Sequence, residues 1–241
     1  MPMKTVIFAV AALGCGLAML LAQTPSGDPL IEGFKSVEVA SVADAIEQLY
    51  GQKTYMHHEM RPVFTTKFAG PAVTVLMKKE EHHEGASASS GMLDAIDNAP
   101  AGAVYVMKVE DGADIAGIGG LMATAMKARG LVGAVIDGGV RDTPQIKKLQ
   151  FPVFSTGIVP STSVNHYRFA GVNVAISCAG APVNANDIIA ADEDGVVVIP
   201  RAKAAEVLKK AQELDYTEHS MIPFIEKYRS MKEAVAKFGR I

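Results

Sequence analysis

Residues 117–142 read GIGGLMATAMKARGLVGAVIDGGVRD, and their order decides the fold class. Gly117, Gly119 and Gly120 follow the apolar run Ala103–Val109 and open into a helical pattern. Leu121, Met122, Ala125, Met126 and Arg129 sit at helical spacing, and Gly130 is placed to stop the helix. A second apolar run, Leu131–Ile136, ends in Asp137-Gly138-Gly139, with Arg141-Asp142 just beyond. The layout is strand, glycine turn, helix, strand, polar tip. The first turn of a helix has amide groups without carbonyl partners and the positive end of the dipole, so it attracts a carboxylate or phosphate. Arg141 offers a planar donor fork for the same anion, and Asp142 a hard oxygen for a divalent cation. Taken alone, the glycines are equally explained by a tight βα turn, and the Arg-Asp pair by a solvated loop tip. GIGG has neither the spacing of a dinucleotide fingerprint nor a P-loop lysine.

Outward from this segment, Ala72–Met77, Ala103–Met107, Val132–Ile136 and Pro152–Ser155 read as strands separated by helical stretches, Met92–Ile96 among them. That alternation predicts a parallel α/β arrangement. After Arg168 the short β-runs Val172–Ser177, Ile188–Ala191 and Val196–Ile199 are punctuated by Asn, Asp and Gly, as in an antiparallel layer. Asp187, Asp192 and Asp194 fit turns between them. Ser41-Val42-Ala43-Asp44 has the form of a capping box, with Gly51 as terminator. Ala202–Tyr216 is an amphipathic helix with Val207, Leu208, Ala211 and Leu214 inward; Pro223 interrupts it, and Ile225–Phe238 forms a second helical segment.

A chain of 241 residues with 49% hydrophobic side chains can bury one good core. A net charge of −3, aromatic content of 6% and no Trp argue against a nucleic-acid binder. At the N-terminus a short basic start, Met1–Lys4, precedes the uncharged apolar run Thr5–Ala22 and a polar, turn-rich stretch. This is the layout of a signal peptide cleaved after Ala22, with a retained membrane anchor as the alternative. The expected organisation is therefore a signal over 1–22, a linker over 23–36 and one domain over 37–241, in an exported protein. Cys15 leaves with the signal, so Cys178 has no partner for an internal disulfide.

The runs GLVGAVIDGGVRDTPQI, FPVFSTG and NANDIIAADEDGVVVIP, with SVADAI at 41–46 and FAGPAVTV at 68–75, resemble the RraA-like family. That family includes 4-hydroxy-4-methyl-2-oxoglutarate aldolases and regulators of ribonuclease E. The resemblance spans about Val39 to Glu218. It implies a swivelling β/β/α domain like the phosphohistidine domain of phosphotransfer enzymes, assembled as a homotrimer or hexamer with sites at subunit boundaries. In the aldolases, pyruvate lies with its carboxylate on the glycine-loop amides and the arginine. Its keto oxygen meets a divalent metal, Mg²⁺ or Mn²⁺, held by the following aspartate. Carried over, the loop is Gly119-Gly120-Leu121-Met122, the clamp Arg141 and the metal ligand Asp142. The family pattern also has an acidic residue separated by twenty positions from the Arg-Asp pair; here that position is Gly120. A further family carboxylate comes from the C-terminal helix, for which Glu218 is the nearest candidate. The implied activity is a metal-dependent lyase on a small 2-oxo dicarboxylic acid, releasing pyruvate by retro-aldol cleavage or oxaloacetate decarboxylation. The alternative is a non-catalytic regulator. No adenosylmethionine site supports the methyltransferase label that many members carry.

The chain has six histidines. His57-His58 and His82-His83 lack the spacing of a zinc motif and read as surface loops. Asn165-His166-Tyr167-Arg168 reads as a loop able to shape a specificity pocket.

Overall fold

The computed structural model describes residues 27–240. The expected signal segment and Cys15 lie outside them. Four strands run parallel, β2 (Phe68–Lys79), β3 (Val104–Val109), β5 (Gly133–Val140) and β6 (Val153–Ile158). The short β4 (Ala116–Ile118) joins β5, also in parallel. Helices α3 (Ser90–Asp97), α4 (Gly120–Ala128) and α5 (Thr143–Leu149) connect them. Three strands are antiparallel additions: β7 (Tyr167–Val172) and β10 (Ile188–Asp192) lie one after the other along the edge of β2 opposite β3, and β11 (Gly195–Ile199) follows on β10. With β1 (Arg61–Pro62), the main sheet is ordered β1-β6-β5-β3-β2-β10-β11. The hairpin of β8 (Ile176–Cys178) and β9 (Ala181–Val183) is separate.

One short segment nearly closes this sheet into a barrel. The Met56 amide donates to Val196 O at 2.9 Å and the Val198 amide to Thr54 O at 3.0 Å, so residues 54–56 run along β11. A few residues later, Arg61 and Pro62 pair with β6 at the opposite edge. Both exposed edges, which would otherwise template aggregation, are thereby covered.

The strands are buried on both faces, which is why they read as continuous apolar runs. Along β3, Tyr105 and Met107 pack with Ile96, Ala123 and Met126 of the helical layer. Val104 and Val106 point the other way, into an interior with Phe154, Ile189 and Val198. A third cluster sets α1 (Pro29–Ser36), α2 (Val39–Tyr50) and α6 (Ala204–Tyr228) against β10 and β11.

Several sequence expectations are corrected here. Residues 29–36 are not linker. Asp28 caps α1 through the Leu30 amide at 3.0 Å, Phe34 is buried, and Gly33 lets the helix approach Leu208 of α6 closely. Ser41 and Asp44 are not a capping box: α2 already begins at Val39, Ser41 is buried in its first turn, and Asp44 pairs with Arg240 at 2.9 Å. The open amides of that helix start are met from a distance instead. Val39 N–H donates to Asp192 Oδ2 and Glu38 N–H to Asp215 Oδ1, both at 3.0 Å. Asp187 and Asp192 make the expected turn bonds, accepting from the Asn184 and Asp194 amides, but both are buried, and Asp187 also accepts from the Arg201 amide. Gly51 ends α2 in the left-handed region, as expected. The β-run over 172–177 is broken at Asn173, so Val172 closes β7 and Ile176 opens β8. Pro223 does not end α6, which continues to Tyr228 and breaks at Arg229 before α7 (Met231–Phe238). Phe224 stacks on Tyr228 and meets Phe238 edge-on, holding the turn after the proline in place. Among the described residues no helix is long and apolar enough to cross a membrane.

Because Phe34 is an integral core residue, Phe34→Ala is expected to lower the unfolding free energy by about 3–5 kcal/mol, measured by urea denaturation. An unchanged midpoint would return residues 29–36 to the status of a tether.

Candidate active site

Strand β5 ends beside the start of α4, and the site is the junction of the two. Arg141 N–H donates to Ile118 O at 3.1 Å, which ties the tip after β5 to the end of β4. Asp142 has a left-handed backbone (φ 57°), uncommon without glycine but tolerated best by Asp and Asn. Its carbonyl accepts from Gln145 and Ile146 and starts α5. Its side chain turns away and Oδ2 accepts the Gly120 amide at 3.0 Å.

The approach is close because Gly119 and Gly120 carry no side chain. A Cβ at Gly119 would lie 2.6 Å from Asp142 Oδ2 and 3.1 Å from Arg141 Cγ. At Gly120 it would lie 2.9 Å from Gln145 Cγ. Gly120 is not in the left-handed region, so its requirement is for space and not for backbone freedom. Gln145 fills the position from which a loop acid would project.

Arg141 is placed by Ser161. Its Nη1 donates to Ser161 O at 3.1 Å, while Ser161 Oγ bridges the Ala116 amide and Asp114 O. The remaining guanidinium donors point to a half-exposed space, with Nε 4.0 Å from Asp142 Oδ2. The amides of Leu121 and Met122, in the first turn of α4, have no backbone partner among the described residues. These groups open into a cleft of about 450 Å³ that runs between α3 and α4. The structure thus brings together Gly119, Gly120, Leu121, Met122, Arg141 and Asp142. Glu218 is elsewhere in the chain, paired with Arg240 at 3.3 Å beside Asp44.

The sequence reading missed the wall from α3: Met92, Leu93, Ile96 and Asp97. The available signal was Leu93, an apolar residue off the inward stripe of Met92, Ala95 and Ile96. Ser161 and Gln145 carried no signal, since each acts through a contact across the fold.

The histidine and Asn165–Arg168 expectations change in detail. His82 is buried: Nδ1 accepts the Glu84 amide, leaving Nε2 protonated to donate to Tyr167 O at 3.1 Å. Asn165–Arg168 brace a loop and do not line the cleft. Asn165 Oδ1 accepts from Gly85 N–H, His166 meets Glu81, and the Arg168 fork holds Glu80 and Glu84. The guanidinium of Arg168 holds the Glu84 carboxyl below its usual range. Burial pushes the Cys178 thiol up, beside the Asp137–Lys108 pair.

The RraA-like sequence model (Aldolase/RraA) matches residues 39–198. The chain belongs to the RraA-like family. It is 30% identical over 183 residues to a Halalkalibacterium halodurans protein provisionally named 4-hydroxy-4-methyl-2-oxoglutarate aldolase, covering 76% of this chain and 81% of that one. A Thermus thermophilus protein named 4-hydroxy-4-methyl-2-oxoglutarate aldolase is 29% identical over 101 residues, covering 41% of this chain and 61% of its own length. Among solved structures, a Pseudomonas syringae protein superposes with a TM-score of 0.76 at 26% identity, covering 88% of this chain and 99% of its own. Streptomyces coelicolor RraAS2, described as an unusual member of the RNase ES inhibitor RraA family, gives 0.71 at 24%, covering 82% of this chain and 96% of its own. That likeness shows the shared fold.

Gly119→Ala places a methyl group against Asp142 Oδ2, and overpacking of this kind typically costs about 1–3 kcal/mol. In an Asp142→Ala background the cost should shrink, a coupling read from urea melts of the four proteins. Additive costs would mean that the carboxylate does not lie against Gly119.

Proposed function

We propose that this chain is a divalent-metal-dependent lyase acting on a small 2-oxo acid and releasing pyruvate. The reaction is retro-aldol cleavage of the 4-hydroxy-4-methyl-2-oxoglutarate type, or decarboxylation of oxaloacetate. The observation that carries this reading is the convergence in one cleft of the Asp142 carboxylate, the Arg141 fork and the open amides of Leu121 and Met122. The aldolase names of the relatives support the lyase class.

The donor set fits a hydrated Mg²⁺ or Mn²⁺. Among the described residues no group of three or more His, Cys, Asp or Glu could cage a metal. Mg²⁺ commonly takes one or two protein carboxylates and fills its other positions with water and substrate oxygens. Asp142 would hold it: its side chain is about half exposed (52%), and Oδ1 is left for a ligand while Oδ2 is steadied by Gly120. When bound, the cation supplies Lewis acidity toward the substrate's keto oxygen.

The chain's own groups do the rest. Arg141 takes the substrate carboxylate through a bidentate fork, already aimed by Ser161. The amides of Leu121 and Met122 add donors and the positive end of the helix dipole. Together they hold the bond to be cleaved in a fixed orientation, and Arg141 adds positive charge where negative charge develops. Glu218 would join only from a neighbouring copy, in the homotrimer or hexamer that belongs to this proposal, as does export by the N-terminal segment.

Pyruvate release from oxaloacetate in Mg²⁺ should vanish with chelator and return with Mg²⁺ or Mn²⁺. Asp142→Ala should remove turnover and metal dependence together. Arg141→Lys keeps the charge but loses the fork, so kcat/KM should fall steeply. Full activity in excess chelator, or a Lys variant equal to the parent, contradicts the assignment.

If the absent loop acid limits catalysis, Gly120→Asp should raise turnover toward the 10²–10⁴-fold that acid–base assistance is roughly worth. The Gln145 side chain must first swing aside, and Gly120→Asn controls for that steric change. An Asp variant no faster than Asn shows that proton transfer is not the bottleneck.

A further inference from the structure

The stretch Ser161–Phe169 touches both walls of the cleft. At its start the Ser161 carbonyl holds Arg141 Nη1 at 3.1 Å. The stretch then folds on the buried Ser163, whose carbonyl accepts from the His166 and Tyr167 amides at 3.1 and 2.9 Å. Asn165 turns into the left-handed region (φ 69°) and binds loop 80–89 twice. Its carbonyl accepts the His82 amide at 2.9 Å, and its Oδ1 accepts the Gly85 amide at 3.0 Å. The Tyr167 carbonyl takes two further bonds from the same loop, from His82 Nε2 at 3.1 Å and from the buried Ser89 hydroxyl at 3.2 Å. Ser89 immediately precedes α3. Within α3, Gly91 leaves room for the Phe169 ring, which occupies the space a side chain would need. Met92 and Leu93, which line the cleft, follow directly. The Arg141 clamp and the α3 wall are thus joined through one stretch of chain.

We propose that Asn165 is a positioning residue for this site: it sets loop 80–89, and through it the start of α3, in register with the Arg141 clamp. The assignment rests on the lyase reading of Arg141 as the holder of the substrate carboxylate, and it deepens that reading. Two properties suit Asn165 to the place, an acceptor oxygen for the Gly85 amide and tolerance of a left-handed backbone. Glycine would keep the backbone and lose the acceptor, whereas aspartate keeps both. A carboxylate held by Arg141 fixes the guanidinium against the Ser161 carbonyl. Through the same stretch it steadies Asn165, loop 80–89 and the first turn of α3. The effect is reciprocal: the factor by which the ligand stabilises the loop is the factor by which a fixed loop strengthens ligand binding. Every contact in this path lies within one chain, so it operates whatever a neighbouring copy adds to the site.

The test uses the full-length protein in Mg²⁺ buffer, with pyruvate as the probe. Calorimetry gives the pyruvate affinity of the parent, Asn165→Gly and Asn165→Asp. Hydrogen exchange follows residues 80–93 with and without saturating pyruvate. In the parent, pyruvate should slow exchange over this segment at least about fivefold, the lower end of typical coupling energies. Asn165→Gly should bind pyruvate about fivefold more weakly and lose the slowing, and Asn165→Asp should restore both. A role confined to stability would move the urea midpoint and leave pyruvate affinity untouched. If the parent fails to bind pyruvate, the lyase reading falls and this assignment falls with it. If pyruvate binds the parent without slowing exchange, or binds Asn165→Gly as tightly, only the positioning role is overturned. A glycine variant too unstable to measure leaves the exchange response of the parent to decide.

Discussion

The contact between Asp142 and the start of α4 is the constraint on which the site depends. The Asp142 carboxylate reaches the Gly120 amide only because the helix start carries no side chain there, a condition that Gly119 and Gly120 meet. The left-handed turn at Asp142 lets one residue act twice: its carbonyl begins α5 while its carboxylate reaches back to α4. Everything polar in the cleft is then placed relative to this contact. Arg141 precedes it by one residue and is braced by Ser161, whose hydroxyl binds the backbone on both sides of Ile115.

On the proposed reading, the same contact would let a lone carboxylate serve the cation. A cage of several acids would repel itself without a metal and would bind calcium-like ions tightly. A single steadied carboxylate beside an arginine would favour a weakly held, mostly hydrated cation. Gln145 packed over Gly120 is consistent with a site organised without the loop acid of the family pattern. The other wall of the cleft comes from α3, an element distant in sequence from the glycine loop.

The parts legible in the sequence were those governed by local periodicity and by turn chemistry. The strand–glycine–helix–strand order of residues 103–142, the inward face of α6 and the stop at Gly51 all follow from short-range rules. The misses share a different cause, in that a partner far along the chain decides the outcome. Asp44 resembles a cap partner until Arg240 is placed against it, and α2 takes its caps from Asp192 and Asp215. Residues 29–36 are too short and mixed to announce a helix, yet Leu208 and the α2 face provide a surface for Phe34 and Ile31. Pro223 removes one helical hydrogen bond, yet the helix continues past it, with Phe224 packed on Tyr228 and Phe238 beyond. His82 looked like a surface residue because its two backbone partners lie at 84 and 167. Within the site, Arg141, Asp142 and the loop could be named from sequence, whereas the α3 wall needed the packing of two helices.

The central claim is that Asp142, Arg141 and the start of α4 bind a divalent cation and a 2-oxo acid together. Two ligands that share a coordination sphere must tighten each other's binding by the same factor. Mn²⁺ binding, followed by water-proton relaxation with and without saturating pyruvate, reads that coupling directly. The account predicts that pyruvate strengthens Mn²⁺ binding at least about fivefold, the lower end of typical coupling energies, and that Asp142→Ala abolishes the effect. Mn²⁺ affinity indifferent to pyruvate, or a coupling that survives Asp142→Ala, would contradict it.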